Sequence, residues 1–216
     1  MSDTVLIWGA GAVGGTIGAS LARAGISVQM VDIEPEHAKI CSEIGLEVEG
    51  PVDNYCQKVS CVMPKELKGS YDRVILAVKA LATIDAVCAL KPHLNSNGFV
   101  MSAQNGLNEY YISDQLSKHQ VMGCFVNFGA DWLGPGRILY GNRGAMVIGE
   151  IDGSIKSRTF DMHKLMRIFE PNAMITDNIM GYLWGKMCYG SMLFATALTG
   201  ESMATNFSDE TRIPIL

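Results

Sequence analysis

The sequence of 216 residues predicts an α/β fold, in which helices cover both faces of a mostly parallel, doubly wound sheet. Short apolar runs of strand length alternate with helical segments along most of the chain. These runs are almost continuously apolar, as expected of strands that are buried on both faces. Hydrophobic residues make up 48% of the sequence and charged residues 18%, so the chain can build a substantial core.

The first unit of this fold is predicted at the start of the chain. Val5–Trp8 is an apolar run, residues 13–24 form a helical segment with one apolar face, and Gly25 is suited to end that helix. A second apolar run, Val28–Val31, is followed by Asp32. Strand, turn, helix and strand within about 30 residues match the size of a βαβ unit.

The later elements continue the alternation of helices and strands. We predict helices at residues 35–44, 80–90, 107–116, 155–169 and 178–198, and strands at residues 59–63, 73–78, 99–102 and 121–130. Residues 137–140 and 145–148 are expected to form a hairpin. We expect a Rossmann-type domain over residues 1–176. Residues 177–216 are expected to begin a helical substrate or dimerisation domain that the sequence does not complete.

The turn after the first strand fits the pattern G-x-G-x-x-G with the residues Gly9, Ala10, Gly11, Ala12, Val13 and Gly14. The first glycine allows a tight turn, the second lets the backbone approach a pyrophosphate, and the third lets the helix pack close to the sheet. The free N–H groups and the positive dipole end of the helix favour phosphates. The turn is therefore predicted to bind a dinucleotide, and a glycine-rich turn without a ligand is the alternative.

Asp32 stands 23 residues after Gly9, near the spacing of ~20 expected of a carboxylate that binds the cofactor ribose. Its carboxylate could accept hydrogen bonds from the 2′-hydroxyl of NAD and would repel the 2′-phosphate of NADP. This chemistry favours NAD. The alternative is that Asp32 only caps the following helix.

Three further segments narrow the class of protein. They are Val78-Lys79-Ala80, Gln104-Asn105-Gly106 and Leu183-Trp184-Gly185-Lys186, supported by Gly134-Pro135-Gly136-Arg137 and Ile148-Gly149-Glu150. With these segments in this order, the sequence resembles the 2-dehydropantoate 2-reductase (ketopantoate reductase) family from Thr4 to about Gly200.

The resemblance implies reduction of a 2-keto acid to a 2-hydroxy acid in pantothenate biosynthesis, with NADP as the usual cofactor. It implies that Lys186 is the catalytic proton donor. It also implies that Lys79 and Asn105 line the cofactor and substrate cleft, and that both contact the substrate together with Lys186.

The sequence departs from the family at several positions. The family carries asparagines four and eight residues after the catalytic lysine, where this chain has Gly190 and Phe194; Ser191 could replace one of them in part. Asp32 stands where a basic residue often favours NADPH. The family also continues with further helices that carry a substrate-binding serine and glutamate. Two alternatives stay open: an NAD-dependent dehydrogenase of another 2-hydroxy acid, and a non-catalytic dinucleotide-binding protein.

Charge and composition exclude several classes of partner. The net charge is −5 and no basic run is present, so nucleic acid is not expected as a partner. No apolar stretch approaches the ~20 residues of a membrane span. Six scattered cysteines are typical of reduced cytosolic thiols, so we predict a cytoplasmic protein without a metal site. A homodimer would cover the apolar face of the helix at residues 178–198.

The four histidines have no evident acid or nucleophile partner in the sequence. They are His37, His93, His119 and His163, and we expect each of them on the surface or in a turn.

Overall fold

The computed structural model describes residues 4–213. Its strands are β1 (Val5–Trp8), β2 (Val28–Val31), β3 (Leu46–Glu49), β4 (Tyr55–Gln57), β5 (Ser60–Val62), β6 (Tyr71–Leu76), β7 (Leu94–Ser102), β8 (Val121–Val126), β9 (Gly129–Gly134), β10 (Arg137–Asn142), β11 (Met146–Glu150) and β12 (Met174–Ile175). Its helices are α1 (Ala12–Arg23), α2 (Pro35–Glu43), α3 (Thr83–Leu90), α4 (Asn108–Gln115), α5 (Ser157–Phe169), α6 (Ile179–Thr196) and α7 (Met203–Ser208).

The main sheet confirms the predicted α/β class. Its eight strands in the described range follow the order β12-β11-β8-β7-β6-β1-β2-β5. The strands from β8 to β5 in this order are all parallel, whereas β11 runs antiparallel to β8. The predicted strand–turn–helix–strand unit at the start of the chain is confirmed as β1, α1 and β2.

Both faces of the main sheet are buried, and β1 shows why its sequence is apolar throughout. Val5 and Ile7 belong to the core on one face, which also holds residues of α1 and α5. Leu6 and Trp8 belong to the core on the other face, which holds residues of α3 and α4. Because successive side chains of a strand alternate between faces, a strand with a core on each side needs apolar residues at every position.

A second sheet accounts for the main error of the sequence-based prediction. Its order is β4-β3-β10-β9, and β9 and β10 form its antiparallel hairpin. The predicted hairpin of residues 137–140 and 145–148 is wrong, because β10 lies in this sheet while β11 pairs with β8 in the main sheet. The predicted single strand at residues 121–130 is likewise divided between the two sheets, as β8 and the start of β9.

Helix α6 packs on the main sheet through its first two turns. Ile179 and Leu183 are buried in a small cluster with Val147 of β11. Gly123 in β8 permits this approach, since a Cβ atom there would lie 2.8 Å from a side-chain carbon of Ile179. The domain boundary at residue 176 stays a prediction. Within residues 4–213, no helix combines the length and the apolar character that crossing a membrane requires.

Glu109 is a buried acid in the first turn of α4. Its side chain is 1% exposed, and neither carboxylate oxygen has a hydrogen-bond partner within the described chain. Burial raises the pKa of Glu109 to about 7 from its usual 4.5. The folded protein therefore holds a proton on Glu109 at pH values where the unfolded chain has released it.

We predict that Glu109 makes the protein less stable as the pH rises from about 4.5 to about 7. In this window the folded state binds more protons than the unfolded state, so its free energy of unfolding falls with pH. Glu109→Gln removes this effect. The stability of the variant relative to the wild type should rise by roughly 3 kcal/mol across the window, measured by urea unfolding at several pH values.

The exposed Glu36 in the first turn of α2 provides the control for this measurement. Glu36→Gln makes the same substitution at an exposed position and shows how much of the change comes merely from losing one surface carboxylate. Parallel profiles for Glu109→Gln and the wild type would contradict the prediction.

Candidate active site

The candidate site lies at the carboxyl edge of the main sheet, beside β1. The chain leaves β1 towards β2 and β5 on one side and later returns to add β6 and β7 on the other. Ligands of open α/β sheets bind in the crevice at such a reversal of strand order. The turns after β1, β6 and β7 therefore meet at this edge.

The glycine turn is shaped by close contacts at Gly9 and Gly14. Gly9 has a φ of +97°, and a Cβ atom there would lie 2.9 Å from the backbone nitrogen of Val78 after β6. A Cβ atom at Gly14 would lie 1.9 Å from the carbonyl oxygen of Gly9. Both positions therefore need glycine to bring α1 and the β6 turn close to the end of β1.

Gly11 differs from its two neighbours in the motif. It is the N-cap residue of α1 with a φ of −69°, and a Cβ atom there would meet no described atom within 4 Å. No side chain caps the helix at this end. The space beside Gly11 is thus free of protein, and the first amides of α1 are available to an anion with the positive dipole end behind them.

Asp32 braces the glycine turn from the end of β2. Its Oδ2 accepts a hydrogen bond from the Ala10 amide at 2.8 Å, and its Oδ1 accepts one from the Glu34 amide at 3.0 Å. The second bond closes a turn just before α2, whose N-cap residue is Glu34, so Asp32 does not cap that helix and the alternative is wrong. A carboxylate can accept about four hydrogen bonds, so Asp32 keeps capacity for a ribose hydroxyl.

His37 corrects the prediction that the histidines lie on the surface or in turns. It lies within α2 and is fully buried. Its Nε2 is 2.8 Å from the carbonyl oxygen of Ala10, and its Nδ1 accepts a hydrogen bond from the Gly136 amide at 2.9 Å. The only cue in the sequence is a histidine on the side of an amphipathic helix that faces the core.

Lys79 and Asn105 both follow strands of the main sheet at this edge. Lys79 comes three residues after β6 ends, and Asn105 comes three residues after β7 ends; both side chains are exposed. The buried Gln104 ties the two turns together, because its amide nitrogen donates to the carbonyl oxygen of Val78 at 2.8 Å. This hydrogen bond explains why the Gln-Asn-Gly segment begins with glutamine.

Lys186 reaches this edge from α6. Its Nζ donates to Oδ1 of Asn105 at 2.6 Å and to the carbonyl oxygen of Val126. The ammonium also lies 5.4 Å from the centre of the Phe125 ring. Burial lowers the pKa of Lys186 because it disfavours the charged form. The structure thus brings together two of the residues that the resemblance grouped.

A cavity of about 500 Å³ lies beside Lys186. Its lining includes residues that the sequence-based reasoning missed: Phe125, Asn127, Asn178, Tyr182 and Tyr189. Asn127 could have been found, because it is the first residue after the buried strand β8 and so occupies the same edge as Asn105. The tyrosines gave no such signal, since aromatic residues on a helix are usually core residues.

No polar side chain stands at residues 190 and 194, where the family resemblance leads one to expect asparagines. Gly190 lies one helical turn after Lys186, and Phe194 is 81% exposed. The hydroxyl of Ser191 donates to the carbonyl oxygen of Cys188 at 2.6 Å. Ser191 therefore bonds to its own helix and does not replace an asparagine side chain.

The fold and the arrangement at this edge define a Rossmann-type α/β domain. Comparison with family models makes the assignment specific, since the model of the ketopantoate reductase PanE/ApbA family matches residues 5–153. This match covers more than half of the chain, and the chain belongs to that family.

Individual relatives agree with this assignment. A 2-dehydropantoate 2-reductase from Pyrococcus abyssi is 28% identical over 88% of this chain and 61% of its own length. One from Lactococcus lactis is 27% identical over 93% of this chain and 65% of its own length. The chain thus spans about three fifths to two thirds of these curated relatives.

Solved structures show the same fold. A PanE/ApbA family ketopantoate reductase from Ralstonia eutropha has a TM-score of 0.74 at 31% identity, covering 85% of this chain and 59% of that one. D-mandelate dehydrogenase with NADH and anilino(oxo)acetate has a TM-score of 0.84 at 22% identity, covering 98% of this chain and 69% of that one. The latter likeness concerns the fold alone.

We predict that Gly11→Ala weakens dinucleotide binding without destabilising the fold, whereas Gly14→Ala destabilises the fold. Gly11→Ala places a methyl group in open space at an ordinary φ, so the melting temperature should change little. The methyl group would occupy the space proposed for a pyrophosphate and should weaken dinucleotide binding at least tenfold. Gly14→Ala forces the backbone apart and should lower the free energy of unfolding by roughly 1–3 kcal/mol.

Differential scanning fluorimetry and titration with dinucleotide test this pair of variants. Unchanged dinucleotide affinity in Gly11→Ala would show that no phosphate approaches this turn.

Proposed function

We propose that the protein is a nicotinamide-dependent reductase of 2-keto acids, with 2-dehydropantoate or a close analogue as its substrate. The observation that carries this proposal is the hydrogen bond of 2.6 Å between Lys186 and Asn105, which are 81 positions apart. It joins an ammonium group to an amide beside an open cavity. The names of the relatives support the choice of substrate.

Lys186 would act on the keto oxygen. An ammonium group has three N–H donors, and Asn105 and Val126 take two of them. The third is left for the keto oxygen of a substrate in the cavity. As hydride reaches the carbonyl carbon, Lys186 would stabilise the developing negative charge and transfer a proton to this oxygen. A pKa lowered by burial makes that proton easier to release.

The residues around the glycine turn fit a dinucleotide. Residues 9–14 would hold its pyrophosphate, Asp32 would bind its ribose, and the turns that carry Lys79 and Asn105 would border its nicotinamide half. When bound, the cofactor would supply the hydride. The exposed ammonium of Lys79 would attract the substrate carboxylate or a cofactor phosphate.

A second candidate function is an NAD-dependent dehydrogenase of another 2-hydroxy acid. The Asp32 carboxylate favours it, because this group would repel a 2′-phosphate. Gly190 and Phe194 also favour it, since they change the polar surface next to Lys186. The fold shared with D-mandelate dehydrogenase in complex with NADH is compatible with this alternative. A homodimer through the exposed side of α6 remains a prediction.

We predict that Lys186→Met abolishes most of the 2-keto acid reductase activity. Loss of a positioned proton donor should lower kcat at least about 100-fold. The dissociation constant of the cofactor should change less than about twofold, because Lys186 lines the cavity that we assign to the substrate. Steady-state kinetics with 2-dehydropantoate and a panel of other 2-keto acids measure the first effect, and titration measures the second.

Lys91 provides the matched control for Lys186. It precedes β7 at the opposite edge of the sheet, where its Nζ donates to the carbonyl oxygen of Gln115 at 2.8 Å. Lys91→Met should keep full activity. Equal kcat values for Lys186→Met and the wild type would refute the role of Lys186. Absence of turnover in the wild type with every 2-keto acid would favour a non-catalytic dinucleotide-binding protein.

We also predict that the protein binds NADH more tightly than NADPH. The Asp32 carboxylate would repel the 2′-phosphate of NADPH, which NADH lacks. Asp32→Asn removes this negative charge and should therefore reduce the difference between the affinities for NADH and NADPH. Energy transfer from tryptophan to nicotinamide provides the measurement, since Trp8 directly precedes the glycine turn. Tighter binding of NADPH would contradict the role given to Asp32, and binding of neither dinucleotide would refute the cofactor site.

A further inference from the structure

We infer that His37 is a positioning residue of the dinucleotide site, because it holds the peptide unit between Ala10 and Gly11 in the orientation that phosphate binding requires. The inference rests on the dinucleotide site proposed above. In this role a buried histidine outside the glycine motif determines the direction of the Gly11 amide within that motif.

The hydrogen bonds of His37 define its protonation state. The amide of Gly136 donates to Nδ1 at 2.9 Å, so this nitrogen carries a lone pair. The proton of the neutral ring is then on Nε2, which donates to the carbonyl oxygen of Ala10 at 2.8 Å. One ring thus accepts a bond from the β9–β10 hairpin and donates a bond to the glycine turn.

Planarity of the peptide bond converts this contact into an orientation. The carbonyl of Ala10 and the amide of Gly11 belong to one planar unit, and no cis peptide occurs in the described chain. In a trans peptide the C=O and N–H bonds point in opposite directions. Because His37 fixes the carbonyl on its own side, the Gly11 amide points away from His37.

The preceding peptide unit is held as well. Oδ2 of Asp32 accepts a bond from the Ala10 amide at 2.8 Å. Two side chains therefore hold both polar backbone atoms of Ala10, one from the end of β2 and one from α2. The open space beside Gly11, where a Cβ atom would meet nothing within 4 Å, lies next to this doubly held residue.

The ring of His37 is itself fixed on its remaining sides. The Trp132 ring of β9 lies over it with 4.6 Å between the ring centres. The sulfur of Cys41, one helical turn later, is 3.5 Å from Nε2. His37 has no exposed surface, so no alternative solvent-facing position is available to it. These contacts restrict the movement of the ring, so the ring can keep the Ala10 carbonyl in one orientation.

Two substitutions separate the two hydrogen bonds. In His37→Gln the amide nitrogen can reach the position of Nε2 and donate to Ala10, but the acceptor for Gly136 is lost. In His37→Asn the amide oxygen can take the position of Nδ1 and accept from Gly136, but the donor to Ala10 is lost. Each variant loses one bond and the ring contact with Trp132, so each serves as the stability control for the other.

The test is the dissociation constant of NADH for the purified wild-type protein and both variants, with their melting temperatures. We expect both variants to melt below the wild type by similar amounts. His37→Asn should bind NADH about tenfold more weakly, the equivalent of one hydrogen bond of about 1.4 kcal/mol. His37→Gln should remain within about threefold of the wild type. A purely structural histidine would lower both affinities alike.

Equal affinities of the two variants, or weaker binding by His37→Gln, would overturn the inference while leaving the cofactor site intact. A wild type that binds neither NADH nor NADPH would overturn the cofactor site and the inference with it. One measurement needs no variant: the amide proton signal of Gly11 should move downfield when NADH is added, and an unmoved signal in a protein that binds NADH would also overturn the inference.

Discussion

The closeness of α1 to β1 is the constraint on which the candidate site depends. A single methyl group at position 14 would come within 1.9 Å of the Gly9 carbonyl oxygen, so the helix can lie at this distance only with glycine there. This distance lets the chain pass from strand to helix in three residues. It brings the uncapped end of α1 to the point where the strand order of the sheet reverses. Asp32 and His37 can hold Ala10 from either side only because the turn is this short.

Local patterns in the sequence were sufficient for most strands of the main sheet, but not for β12 or for the pairing of the second sheet. Continuous apolar runs predicted β1 and β2 because a core lies on each face of them. The pattern of residues 137–148 showed two strands but not their partners. In the structure β10 pairs in parallel with β3 and β11 pairs with β8. Of these partners only β9, which pairs with β10, is adjacent along the chain; β3 and β8 lie farther back and leave no periodic signal in these segments, so a hairpin of the two runs was the nearest local interpretation.

The candidate site was predictable to different degrees for different residues. Gly9 and Gly14 follow from the spacing of the motif, and the structure supplies the contacts that demand them. Lys186 has no such signal, because a lysine on a helix is ordinarily solvated. Only the resemblance to a family singled it out, and the structure adds its bond to Asn105. The buried position of His37 was not predicted, because its partners at Ala10 and Gly136 are backbone atoms, which every residue has.

The bond between His37 and the Gly136 amide spans 99 positions of the sequence. Closing a loop of this length costs conformational entropy, and contacts between distant segments are the slow step in forming a fold. The second sheet depends on such closures, since β3 and β10 pair although β5 to β8 lie between them along the chain. The glycine turn itself involves only β1 and α1, whereas the His37 ring that holds it is also bonded to the hairpin of β9 and β10. A ligand that binds this turn more tightly when His37 holds it would stabilise the complete fold over partly unfolded forms in which the hairpin has separated, so binding at one sheet would stabilise the other.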